Sequence, residues 1–459
     1  MLFFEPHMEW LIVGRMRMLK DLTYLKLATT GLAGALVAIA MTAMAADEQF
    51  KVTTIVPLPH AETLSAFDIS FVDKTSHTYA LAASRVTGSG GNVGEVIIVD
   101  TQKNIVTKEL HSTPPFVGNC SFPNRDEYSG PNGVMVIEKG ANTDVWAADG
   151  PVFNTRCVPG SGVKTPSTVK VLDLKTGATK AVIETGNGKN GAPLGTRRAD
   201  ELCYNPVSDV VLVANDSTDD NFLTFIGEDS YKVLQHIRFD GTDPNGDKIL
   251  ANGIEQCAFN PRDGKFYLSI PMTGPATATT PGDGVVVRIS AHAPFHVEKV
   301  FPISSAKTGC YGPQGTAIGP DHQIGLGCGG TNSLIIDDRD GSTIKVVTGE
   351  GGTDEVWYNP GSNHYFFARS GTAALGGKLG VEDAKPSPAA DPDAASGWGS
   401  HSVAADPIKN QVYVPIRGNS GVTGSANKIC SSAKDVFGIT GSDVFGCIAV
   451  YTSKPRFAP

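Results

Sequence analysis

From Phe50 onward, apolar and polar positions alternate in short runs separated by Gly, Pro, Asn and Asp, and almost no stretch carries the three-to-four-residue spacing of an amphipathic helix. The pattern predicts strand, turn, strand. One phrase recurs. Asp200-Glu201-Leu202-Cys203-Tyr204-Asn205-Pro206 precedes an apolar strand over 210–214, and Glu255-Gln256-Cys257-Ala258-Phe259-Asn260-Pro261 precedes one over 265–270. Asp354-Glu355-Val356-Trp357-Tyr358-Asn359-Pro360 repeats it before 364–368. A polar-headed short strand, an Asn-Pro turn and a second β-branched or aromatic strand make a β-hairpin.

Weaker copies start at Gln314 and His401, and upstream at Asn132 and Asp68. The units therefore number about seven, roughly 40 to 70 residues apart, which is the spacing of propeller blades with variable loops. Each has a third strand, clearest in Gly94-Glu95-Val96-Ile97-Ile98-Val99-Asp100 and Val169-Lys170-Val171-Leu172-Asp173, with similar stretches at 222–226, 284–289, 334–337 and 448–452. The strand at 51–56 has no blade of its own to start, so it is expected beside 448–451, where it would close the ring and remove a sheet edge. The expected fold is an all-β, seven-bladed β-propeller.

Composition agrees. With 459 residues the chain has ample length for one large all-β domain, and its 52 glycines and 29 prolines, spread without a period, punctuate many short strands. The net charge of −9 and the absence of a Lys/Arg cluster exclude a nucleic-acid surface. Lys20 and Lys26 precede an apolar run over 27–41, and Ala43-Met44-Ala45 has the small-x-small form of a cleavage site. Residues 1–45 thus read as a signal peptide, with those before Met18 as an upstream extension and an uncleaved anchor as the rival reading. Residues 46–459 read as a single periplasmic or secreted domain with no later stretch long enough to span a bilayer.

All eight cysteines lie beyond residue 45, which favours disulfides. Cys310 with Cys328 and Cys430 with Cys447 are close enough to staple neighbouring strands. Cys120 with Cys157 would close a long insertion, and Cys203 with Cys257 is then a further pairing. Spacing alone leaves the connectivity open.

The phrases, Asp100 and Asp173 closing third strands, and Ala214-Asn215-Asp216 and Val414-Pro415 in second strands resemble secreted seven-bladed propellers of the YVTN-repeat and lactonase-like class. The resemblance runs over essentially the whole mature chain, with Leu212-Val213-Ala214-Asn215 as the nearest equivalent of the YVTN tetrapeptide. It implies a lactone or ester hydrolase in which a divalent cation polarises the carbonyl and a carboxylate activates water.

In a propeller the first strand of every blade lines the central channel, so the heads of the phrases are expected to meet at one mouth. They are Asp68, Asn132, Asp200 or Glu201, Glu255, Gln314, Asp354 or Glu355, and His401. Such a ring suits a hard cation such as Ca²⁺ or Mn²⁺, acid–base work, or nothing beyond a wet channel lining. Under the hydrolase reading Glu201, Glu255 and Glu355 are the expected metal ligands, and Glu255, Glu201 and His401 the catalytic groups. Asp68, Asn132, Gln314 and Asp354 would contact a small-molecule ligand. Arg197 and Arg198 would offset the carboxylates or hold an anionic group. The oxygen-rich run 214–221 reads as a turn, with a Ca²⁺ loop as the rival reading, since it lacks the EF-hand spacing and its Gly. No GxSxG elbow is present, and without CxxCH no haem is expected. The alternative function is a non-enzymatic scaffold or sensor that docks a protein or polymer through insertions at 116–125 and 378–400.

Overall fold

The computed structural model describes residues 49–454 apart from the segments 60–62, 87–91, 119–129, 141, 152–165, 186–197, 217–219, 276–282, 373–375, 386–390, 419–427 and 433–444. The expected signal peptide, Arg197 and the Cys120–Cys157 pair therefore lie outside the described residues.

Seven four-stranded antiparallel sheets form the ring of a seven-bladed β-propeller. Blade 1 contains Thr63–Asp73, Thr78–Val86, Asn92–Asp100 and Ile105–Leu110; blade 2 contains Val134–Lys139, Asn142–Asp149, Thr168–Asp173 and Thr179–Glu184. Blade 3 follows with Arg198–Asn205, Val210–Asp216, Phe222–Gly227 and Lys232–Arg238, and blade 4 with Cys257–Asn260, Lys265–Ile270, Val285–Ser290 and Val297–Pro302. Blade 5 is Pro313–Ile318, Gln323–Cys328, Asn332–Asp337 and Thr343–Thr348; blade 6 is Thr353–Asn359, His364–Thr372, Gly376–Asp383 and Ala394–Ser396. Blade 7 joins the two ends of the chain. Ala404–Asp406, Gln411–Arg417 and Gly446–Lys454 are completed by Gln49–Pro57, which pairs antiparallel with Gly446–Lys454 from Gln49↔Lys454 to Pro57↔Cys447.

The core explains the strand patterns. Seven apolar clusters fill the seven seams between blades. Successive side chains of a strand point to opposite faces, so a middle strand feeds two seams at once. Val210, Leu212 and Ala214 pack toward blade 4, while Val211 and Val213 pack toward blade 2. A strand buried on both faces must be continuously apolar, as these are. Outer strands alternate between half-buried and exposed positions and carry Lys, Glu and Thr, as in Thr179–Glu184.

The recurrent Asn-Pro is a turn and a staple. The buried Asn205 side chain accepts from the Val207 N–H at 2.9 Å and donates to the Ala291 carbonyl, just past the third strand of blade 4, at 3.2 Å. Asn260 accepts from Arg262 N–H at 3.0 Å and donates to Asp338 beyond the third strand of blade 5 at 2.9 Å. Asp406, in the same place in blade 7, accepts from Ile408 N–H at 2.8 Å and from the Thr101 hydroxyl of blade 1 at 2.9 Å. One side chain closes its own hairpin and ties it to the next blade.

Among the described residues three disulfides are present: Cys203–Cys257, Cys310–Cys328 and Cys430–Cys447. The first joins the inner strands of blades 3 and 4. The reading of 378–400 as an insertion is corrected, because Gly376–Asp383 and Ala394–Ser396 are the third and fourth strands of blade 6. Gly376, Gly377 and Gly380 dilute the apolar pattern there. Gly377 is needed because a Cβ there would sit 2.2 Å from the Gly397 carbonyl oxygen. Among the described residues no helix is long and apolar enough to cross a membrane.

Candidate functional site

The inner strands run side by side, so their heads line a polar pocket of about 310 Å³ at one mouth of the channel, bordered by Asp68, Asn132, Arg198, Asp354, His401 and Arg417. The strands approach closely there. A Cβ at Gly133 would fall 1.8 Å from the Asp200 carbonyl oxygen.

Within this pocket, oxygens of Asp68 and Asp354 and a ring nitrogen of His401 lie within 4.8 Å of one another. The His401 ring stacks on Phe67 with centroids 4.9 Å apart, and its Nδ1 lies 2.9 Å from the Gly399 carbonyl oxygen. That bond places the neutral imidazole's proton on Nδ1 and leaves the Nε2 lone pair pointing into the site, 3.6 Å from Asp68 Oδ1. The other Asp68 oxygen, Oδ2, stands 3.8 Å from Arg198 Nη1. Arg198 is itself fixed by Asp200 at 2.7 Å and by Asp216 at 3.8 Å.

The channel is strongly acidic. Asp68, Asp200, Glu201, Asp216, Glu255, Asp354 and Glu355 act on one another electrostatically, and Arg198 and His401 are the principal opposing groups. Burial, with the charges of Asp68 and Asp216 added, pushes the Asp200 carboxyl well above the ordinary carboxylate range against the pull of Arg198. Burial does the same to Glu201, aided by Glu355 and Asp200, and to Glu255, aided by Asp216 and Asp354. Burial and the charges of Asp68 and Asp354 raise Glu355, and burial raises Asp354 despite His401 and Arg198. Burial also opposes the charged form of Asp68, yet the His401 contact and the Arg198 charge hold this carboxyl below its usual value. His401 is raised: burial works against the imidazolium, and Asp68 and Asp354 outweigh it.

Each expected site residue has a distinct place. Asp68, Asn132, Arg198, Asp354 and His401 line the polar pocket. Asn132 also spans the seam to blade 3, its amide donating to the Ala199 carbonyl at 3.3 Å. Glu355 lies deeper, accepting from Ser402 Oγ at 3.0 Å and from Val403 N–H at 3.4 Å, while its Oε1 is buried with no partner. Glu201 lines a second cavity, while its carboxyl still feels the charges of Asp68 and Asp354. Glu255 is half-buried near Asp216 and Asp354, and Gln314 heads blade 5 outside both cavities. Among the described residues, the one group of three at ligand spacing is Asp68, Asp354 and His401, so Glu201, Glu255 and Glu355 do not form another.

Sequence reasoning missed Asp216 and Arg417. Both close second strands, and an antiparallel hairpin returns the end of its second strand to the head of its first, as Arg198↔Asp216 shows. That pairing was the available signal.

A divalent cation fits this pocket. Two carboxylate oxygens and an imidazole nitrogen whose other nitrogen is tied to a backbone carbonyl make a metal-binding donor set. The buried Asp200 Oδ1 and Glu355 Oε1 accept no hydrogen bond among the described residues and leave further oxygen donors in the channel. No protein-family model matches the chain, and no curated protein matches it.

Proposed function

We propose that this protein is an exported propeller of the lactonase-like class that binds a divalent cation and a small oxygen-bearing ligand at the polar mouth of its channel, and hydrolyses a lactone or related ester there. The observation that carries the reading is the convergence of Asp68, Asp354 and His401 within 4.8 Å at the wall of a 310 Å³ polar pocket. The imidazole shifts the preferred ion from Ca²⁺ toward Mn²⁺ or Zn²⁺. Export rests on the leader-like N-terminus and on three disulfides, which fit an oxidising compartment.

When bound, the cation supplies Lewis-acid polarisation of the ester carbonyl. The protein's own groups do the rest. Arg198, locked by Asp200 and Asp216, presents a fixed guanidinium at the pocket wall to orient a carbonyl or carboxylate oxygen. The Glu255 carboxyl, close to Asp354 and without a hydrogen-bond donor among the described residues, is left to take a proton from attacking water.

The test is metal analysis of the purified mature protein, calorimetric titration with Mn²⁺, Zn²⁺ and Ca²⁺, and a hydrolysis panel of lactones and aryl esters. One equivalent of cation is expected, with affinity falling about tenfold or more in Asp354→Asn and in His401→Gln. Hydrolysis should vanish with chelator. A protein that takes up no divalent cation overturns the reading, whereas stoichiometric cation with no hydrolysis of any ester turns the site into that of a sensor.

A further inference from the structure

The same inner strands open at their other ends into a second cavity of about 450 Å³. Its wall is aromatic: Phe71, Tyr204, Phe259, Trp357 and Tyr358 are all half-buried and line it. Phe71 and Trp357 meet edge to face with centroids 5.6 Å apart. Tyr204 and Tyr358 donate their hydroxyls outward, to Asp209 at 2.7 Å and to Asn363 at 2.9 Å, which leaves their rings as apolar wall. At the floor stands Glu201, 5% exposed. No hydrogen bond or ion pair reaches its carboxyl among the described residues, and no Lys, Arg or His lines the cavity. Four further acids, Glu355, Asp200, Asp68 and Asp354, act on this carboxyl electrostatically, and no cation is among the principal groups that do.

A buried carboxyl facing a cavity with no partner is costly in a folded protein, and so points to a partner that arrives from outside. Aromatic faces present their negative quadrupole to a cation, and the Coulomb field excludes an anion. We propose that this apolar mouth is a second ligand site, lined by other residues than the cation site above, that takes a small organic ammonium compound with an apolar body. The ammonium sits against Glu201, and the body packs between Phe71, Trp357 and Tyr358. The volume is that of an ordinary small-molecule pocket.

The probes are benzyltrimethylammonium, uncharged benzyl alcohol and anionic phenylacetate, each titrated into the full mature protein by calorimetry with Trp fluorescence alongside. The ammonium compound is expected to bind about tenfold or more tightly than either other probe, because a charge-assisted contact and cation–π packing are added to the shared apolar burial. Glu201→Gln should remove most of that preference while apolar burial persists. Ala258→Lys, a substitution at a half-buried position of the cavity wall, introduces a fixed cation and should abolish ammonium binding even if Glu201→Gln folds poorly. Ala258→Lys should leave cation stoichiometry at the opposite mouth unchanged, which separates this site from the cation site. The proposal is overturned if the three probes bind alike, if none binds, or if Glu201→Gln binds benzyltrimethylammonium as well as the parent protein does.

Discussion

The two mouths of the channel are made by the same strands only a few residues apart, yet they differ in almost every chemical respect. At the head side, Asp68, Asp354, His401 and Arg198 make a polar pocket in which charges pair, stack and compete for one another. At the tail side, Phe71, Tyr204, Trp357 and Tyr358 make an apolar wall around one unpartnered acid. In a ring of parallel inner strands, depth along the strand selects the chemistry, because equivalent positions of all blades arrive at the same level. The tail side also carries the seam staples, since the Asn-Pro turns follow directly on the aromatic residues and the Cys203–Cys257 bridge comes just before them. The polar mouth is thus held by charge and the apolar mouth by covalent and packing contacts.

The largest effect should come from breaking the charge balance of the polar mouth. Arg198→Met leaves Asp68, Asp200 and Asp216 without their shared cation and is expected to destabilise the fold by about 3–5 kcal/mol near neutral pH. Urea unfolding of parent and variant near neutral pH measures the loss. Next comes the covalent hold on the other mouth. Replacing Cys203 and Cys257 together by Ala opens a loop of sequence separation 54 and should cost about 2–4 kcal/mol, with cation stoichiometry at the polar mouth unchanged.

Glu201→Gln sharpens the comparison through pH. Burial and neighbouring acids raise the Glu201 carboxyl above its unfolded value. Its protonated form therefore favours folding below the ordinary carboxylate range, and that contribution is lost as pH climbs toward the raised value. The Gln variant should match the parent near pH 4 and exceed it at pH 8, by about 1–3 kcal/mol for a buried polar group relieved of its charge. Equal pH profiles for the two proteins would refute the assignment of Glu201 as a buried, unpaired acid. The smallest effect belongs to Tyr358→Phe, which deletes the hydroxyl bond to Asn363 but keeps the ring, for a thermal-unfolding loss of about 0.5–1.5 kcal/mol.

The strand pattern announced three strands of most blades because middle strands are buried on both sides and so carry continuous apolar runs, as 210–214 and 96–99 do. Ring closure by the N-terminal strand was legible too, since it was the one strand without a hairpin partner. The fourth strands were not. Ile105–Leu110, Lys232–Arg238 and Thr343–Thr348 lie at the rim, where solvent permits charged and hydroxyl side chains on half their positions. Glycines required by close backbone approach hid the third strand of blade 6 in the same way.

For the site, the repeated phrases led to the expectation that the heads of seven inner strands meet at one opening, because a repeat superposes equivalent residues around an axis; of those heads Asp68, Asn132, Asp354 and His401 line the polar pocket. They could not decide between Asp200 and Glu201, or between Asp354 and Glu355. Register breaks between Phe67 and Ser70, Ala199 and Leu202, and Thr353 and Val356 interrupt the two-residue alternation just where the acids stand. Only the packed ring, by fixing the phase of each bulged strand, turned Asp68 and Asp354 toward His401 and set Glu201 in the lining of the second cavity. A side chain's face in a strand is set by the backbone on either side of it, and a bulge resets that face without leaving a mark in the residue order.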